Sequence, residues 1–154
     1  MDYAAFEARS LRLCNLLEAD PRLSEGVAGG VAVEAGIVRM AQTPGCHVWL
    51  EYRGFARKVE PKILHGPTGS MAVVYLAFHA NFTSGDDPGS ADVEKQLLAV
   101  SANLYRVLMD HESDPLWELL SLGACEVGAY NTGRSAVLRL GILPLVVMYK
   151  EVTP

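Results

Sequence analysis

The segment Ser135–Val152, "SAVLRLGILPLVVMYKEV", constrains the fold more than any other part of this 154-residue chain. Its length and β-branched content predict one long strand. A half-buried strand needs apolar residues only at alternate positions, yet "LGILPLVVMY" is apolar at both sets. Both faces are therefore covered by the molecule itself, or the end of the strand pairs with a neighbouring subunit. An uncovered strand of this kind is an aggregation hazard. Pro144 lacks the N–H that a ladder requires, so it marks a bulge or an edge position. The strand is expected to bend there and to pair differently before and after it.

The rest of the chain supplies partners for such a strand. A helix is predicted from about Asp2 to Glu18, with Asp2 as cap, Phe6, Leu13 and Leu17 on one face, and Asp20-Pro21 as the stop. Gly26–Ala41 contains one short strand and a turn, with the strand falling within Gly30–Val38. Gln42–Cys46 is a turn. "HVWLEYR", His47–Arg53, alternates, placing Val48, Leu50 and Tyr52 on one face and Trp49, Glu51 and Arg53 on the other. Gly54–Ser70 is a long connection into which this strand can continue through Val59. Ser70–Thr83 is a second alternating strand. Ala91–His111 is a helix capped by Ser90, with Val93, Leu97, Val100, Leu104, Val107 or Leu108, and His111 repeating at four-three spacing and Lys95, Asn103, Arg106 and Asp110 on its polar face. Asp114-Pro115 opens a short helix to about Ser121. Cys125–Tyr130 is a strand, and Asn131–Arg134 has hairpin-turn chemistry.

Strands in runs with helices between them predict an α+β fold with a mostly antiparallel sheet of about four to six strands, covered on one face by two main helices. Residues 1–154 form a single domain, long enough to bury a core. A net charge of −5 argues against a general electrostatic nucleic-acid binder. Cys14, Cys46 and Cys125 are widely spaced and read as reduced and packed, which implies a cytosolic origin. The start, "MDYAAFEARSLRL", has no basic-then-apolar signal pattern, and Gly26–Val38 is too short and Gly-rich to span a bilayer. The Asn81-Phe82-Thr83 glycosylation triplet is a chance match in such a setting.

The chain carries no phosphate loop, dinucleotide fingerprint, nucleophile elbow or HExxH helix. "GPTGS" at Gly66–Ser70 is a turn. Cys46-His47 is the nearest approach to a nucleophile–base pair, but neighbours on a strand point to opposite faces. His65, His79 and His111 are scattered. Asp86-Asp87 reads as a solvated turn, and Asp92 and Glu94 serve the helix terminus. No catalytic residue, cofactor or metal is expected. Arg53, Arg57, Lys58 and Lys62 form either a solvated basic loop or a contact surface for an acidic partner or passing DNA. Trp49, Phe55 and Tyr75 are bulky interface candidates, with Trp49 equally able to lie under the helices. Leu143, Pro144, Val146 and Met148 join them as candidate subunit contacts on the last strand.

The order of these elements is similar to a known family. The helix with "LRLCNLLEADPRLSEGV", the strand "HVWLEYR", a variable loop, the strand "AVVYLAFHANF", the helix "VEKQLLAVSANLYRVLMDH" and the closing hairpin "CEVGAYNTGRSAVLRLGILPLVVMYKE" together resemble the tail-terminator (minor tail, or tail-completion) proteins of long-tailed bacteriophages. The resemblance implies a structural virion protein made in the host bacterial cytoplasm and located at the head–tail junction. It implies a homo-hexameric ring that caps the tail tube, ends tube polymerisation and offers a docking surface to head-completion or connector proteins. DNA would pass through the ring without sequence-specific binding, and no membrane would be involved. The family has no catalytic residues, so the chain is expected not to be an enzyme. Other expectations are a different connector or tail-tube component, a small cytosolic ligand-binding α+β domain with a pocket near Trp49, Tyr75 and His79, or an enzyme dependent on Cys46, His47 or His79.

Overall fold

A computed structural model describes residues 3–34, 45–58, 69–83, 91–131 and 137–152. Helix α1 spans Tyr3–Ala19 and is followed by a 3₁₀ turn at Pro21–Ser24. Strands β1 (Val31–Glu34), β2 (Gly45–Lys58) and β3 (Gly69–Thr83) precede helix α2 (Ala91–Met109). Strands β4 (Leu119–Leu122), β5 (Glu126–Asn131) and β6 (Val137–Val152) complete the chain. The six strands form one sheet in the order β1-β2-β3-β6-β4, with β5 also paired to β6. Among the described strands, β1–β2 pair in parallel and the other pairs are antiparallel.

The alternation of each long strand sorts its residues between two faces. Cys46, Val48 and Leu50 of β2, Val74, Leu76 and Phe78 of β3, and Leu143, Leu145 and Val147 of β6 enter one core. Leu13, Cys14 and Leu17 of α1 and Leu97, Val100, Leu104, Val107 and Leu108 of α2 close over it. Each fully buried leucine contributes about 1.5–3 kcal/mol over the exposed state. The two helices thus cover a single face. Close approach of α2 to the sheet depends on Gly141, where an added Cβ would lie 2.9 Å from Ser101 Oγ.

Pro144 sits at a change of partner. The β3–β6 register runs through Ala77↔Pro144 without a shift, so no bulge forms there. On the other side of β6, β4 pairs with Leu145–Met148 and β5 pairs with Val137–Ile142. The Pro144 carbonyl accepts from Gly123 N–H at 2.8 Å, so its nitrogen also points to that side. There, β4 has ended and β5 has not begun. The missing N–H costs no ladder bond, and the strand does pair differently before and after the proline.

Three expectations need correction. The segment after Asp114 is not a helix. Asp114 Oδ1 accepts from Leu116 N–H at 3.1 Å, and Asp114 and Trp117 exchange backbone bonds in a tight turn that leads directly into β4. Asn103 does not lie on a solvated face of α2. It is 7% exposed, and its Nδ2 donates to the carbonyls of Leu23 (3.1 Å) and Glu25 (2.8 Å). Arg53 does not share the face of Trp49 in regular pairing. Tyr52 pairs with Leu76 and Gly54 with Tyr75, leaving Arg53 as the extra residue of a bulge. Gly54 takes φ +131°, where a Cβ would be strained. The expected caps Asp2 and Ser90, the turn residues 42–44 and 132–134, and Lys62, His65, Asp86 and Asp87 lie outside the described residues.

Candidate interaction surface

Opposite the helices, the second face of the sheet is built by the other alternate set. Across its strands, Glu34 pairs with Trp49, Trp49 with His79, and His79 with Ile142. Further along, Tyr75 pairs with Val146, and Val73 with Met148, which itself pairs with Leu119. Tyr75 and Leu119 are 40% and 44% exposed, while Trp49, Ile142, Pro144, Val146 and Met148 are half-buried. Neither α1 nor α2 lies over this face, so Trp49 is not beneath the helix layer. Met71, Val73, Ala77 and His79 on the same face are buried, so its open part is the region around Tyr75, Val146 and Leu119, which neither α1 nor α2 covers and whose exposed apolar side chains suit an interaction surface.

Two histidine–carboxylate pairs punctuate it. His47 Nδ1 lies 3.2 Å from Glu34 Oε1. His79 Nε2 faces the Glu51 carboxylate, and its ring stacks on Trp49 with centroids 5.3 Å apart and planes 12° from parallel. Burial holds the His79 imidazole below its ordinary value, against the opposing pull of Glu51, and the nearby Arg53 lowers it further. Arg53 is exposed, 3.6 Å from Glu51.

The other sequence-chosen positions are dispersed. Leu143 is buried on the helix side, in the core. Phe55 belongs to β2, not to a loop; it pairs with Val74, on the helix side, and is 54% exposed. Arg57 and Lys58 end β2 opposite Ala72 and Met71. Pro144, Val146 and Met148 do gather with Trp49 and Tyr75 on the helix-free face. Ile142 and Leu119 belong with them. Two-residue spacing from Pro144 points to Ile142, whereas Leu119 was masked by the helical reading of its segment.

Of the three cysteines expected to be packed, Cys14 and Cys46 are buried, whereas Cys125, in the connection between β4 and β5, is exposed. Burial pushes Cys46 up to about 12, and burial followed by the charge of Glu18 pushes Cys14 up to about 11. Cys46 enters the core while His47 lies on the opposite face, so the pair does not converge. Among the described residues, no group of three or more His, Cys, Asp or Glu side chains could hold a metal ion, and no helix is long and apolar enough to cross a membrane.

The fold and surface define an α+β protein with α1 and α2 on one side of a six-stranded, mostly antiparallel sheet and, on the other, an apolar face that neither of these helices covers. No protein-family model matches the chain, and no curated protein matches it. Among solved structures, it is similar to a chain in the virion of a native gene transfer agent particle, with a TM-score of 0.58 and 19% identity over 96% of this chain and 98% of that chain. At that identity the likeness establishes a shared fold.

Proposed function

We propose that this protein is a structural virion component of a phage-like particle that caps the tail tube at the head–tail junction. In this role it ends tube polymerisation as a homo-hexameric ring and presents a docking surface to head-completion or connector proteins. DNA passes through the ring without being gripped, in keeping with a net charge of −5. The reading assigns the chain no catalysis, and its partners are other copies of itself and the tube. The observation that carries the reading is the end-to-end likeness to a chain of a gene transfer agent virion, which spans nearly all of both chains. The helix-free face, with Trp49, Tyr75, Pro144, Val146 and Met148, supports it as the place where such contacts form.

Negative-stain imaging of the purified protein, alone and mixed with growing tail tubes, tests the role. Rings confined to tube ends and an arrest of tube growth are expected. Incorporation along the tube wall would instead make it a tube component, and absence from the tubes would remove the proposal. Val146→Lys, which sets a charge in the apolar face, is expected to reduce end-binding while leaving the helix-side core intact.

A further inference from the structure

The bulge in β2 gathers aromatic side chains at one edge of the sheet. Tyr52 pairs with Leu76 and Phe55 with Val74, so both stand on the helix side; Arg53, as the extra residue, makes that parity possible. Beside them, α1 contributes Phe6, which meets Tyr52 edge to face with centroids 4.9 Å apart, and Tyr3, whose ring lies 6.4 Å from that of Phe6. Among the described strands, β1 pairs with Cys46–Trp49, so the cluster lies on the part of β2 that has no such strand outside it. A second apolar patch lies on the same side at the opposite edge. Leu98 and Tyr105 share one flank of α2. The other flank carries Gln96 and Asn103, which hold the chain that leads into β1. Leu98 and Tyr105 therefore turn toward β5, whose Val127 meets Leu97 and Ser101 of α2 around Gly141. Tyr3, Tyr52, Phe55, Leu98, Tyr105 and Val127 are each between 39% and 72% exposed. Together they present roughly 700 Å², more than half of the ~1,200 Å² at which specific interfaces begin.

We infer that copies of this chain meet head to tail, the aromatic patch at the β2 edge of one packing on the Leu98, Tyr105 and Val127 patch of the next. The occupant follows from the placement of the two patches. Both stand on the helix side of one sheet, at opposite edges, so a neighbour displaced sideways along the sheet, without being turned over, brings them together. The patches differ in position and composition, which makes the contact heterologous, and such contacts close into rings. Ring closure rests on the proposed role. It divides the contacts of that role: copies meet at their edges, and the open region around Tyr75, Val146 and Leu119 is left for the tube.

Mixed cross-linking tests the contact. Glu7 and Glu94 are exposed and each borders one patch. Glu7→Cys and Glu94→Cys are made separately in a Cys125→Ser background, mixed, assembled on tail-tube ends and treated with a short bis-maleimide. Covalent dimers are expected in the mixture and at least about tenfold fewer in either variant assembled alone, because a heterologous contact does not set identical positions together. Adding Leu98→Glu to the Glu94→Cys chain is expected to lower the dimer yield severalfold. Leu11→Glu, exposed on α1 outside both patches, should leave it unchanged. Equal yields from one variant alone would mean that a patch meets its own counterpart and would overturn the inference. Rings on tube ends without mixed dimers would also overturn it and leave the proposed role standing, whereas the absence of rings from tube ends would remove both.

Discussion

Replacing Asn103 by alanine tests how α2 holds the chain that leads into β1. The Asn103 side chain donates to two carbonyls, Leu23 O at 3.1 Å and Glu25 O at 2.8 Å, from a position only 7% exposed. A second amide, Gln96, accepts from Ala28 N–H at 3.0 Å on the same side of the helix. Each hydrogen bond has a net worth of about 1 kcal/mol, so the substitution is expected to cost about 2 kcal/mol, and more if the abandoned Leu23 carbonyl stays dry. For a chain of this length that corresponds to a fall in Tm of about 4–8 °C. Urea unfolding followed by circular dichroism, with the m-value unchanged, gives the number. Lys95→Ala, on the exposed side of α2, serves as control and should fall within about 0.5 kcal/mol of wild type. Asn103→Asp should cost more than alanine, because it sets a carboxylate against two carbonyls. A loss of less than about 0.5 kcal/mol for Asn103→Ala would mean that the two bonds contribute nothing net, and the argument that they pin the 3₁₀ turn would fail.

Two further outcomes are expected. Of the three thiols, only Cys125 is exposed, and burial keeps Cys14 and Cys46 protonated; a thiol reagent at pH 8 should label one cysteine per native chain promptly and all three after unfolding. Prompt labelling of Cys46 would contradict its place in the core. His79 has a folded pKa below its ordinary 6.5, so the unfolded chain binds its proton more readily. Its contribution to stability is complete above about 6.5 and is lost as pH falls through the folded value. Wild type should therefore lose more stability than His79→Gln between pH 7 and pH 5 in urea melts, and parallel pH profiles would refute that assignment.

Much of this fold could be read from local pattern. β3 and the first half of β2 alternate, so their faces followed from parity until the bulge at Arg53, and α2 repeats its apolar residues at helical spacing, whereas β6 is apolar at both alternate sets and parity alone did not say which set faces the helices. The unusual place of Pro144 was also visible, because a missing N–H has only a few tolerable positions. What could not be read was set by distant contacts. Asp114-Pro115 carries a helix-start signature, but the segment is too short to sustain a helix alone and Leu120 gains more by joining the edge of β6. Asn103 looked solvent-facing until the 3₁₀ turn, some 80 positions earlier in the chain, packed on it. The parallel pairing of β1 with β2 had no local signal. For the surface, Trp49, Pro144, Val146 and Met148 were chosen one by one for bulk and apolarity, and that they lie on one face became visible only from the strand register. Leu143 was grouped with them by proximity in sequence, although its neighbours point the other way.

The central claim is that the helix-free face is the surface this protein covers when it assembles. Hydroxyl-radical footprinting of the free protein and of the protein bound to tail-tube ends measures this directly at two oxidisable side chains on that face, Trp49 and Met148. The account predicts that both are modified in the free chain and protected on the tube, while exposed Leu11 on α1 serves as a comparison on the opposite side. Unchanged modification of Trp49 and Met148 in tube-bound protein would contradict it.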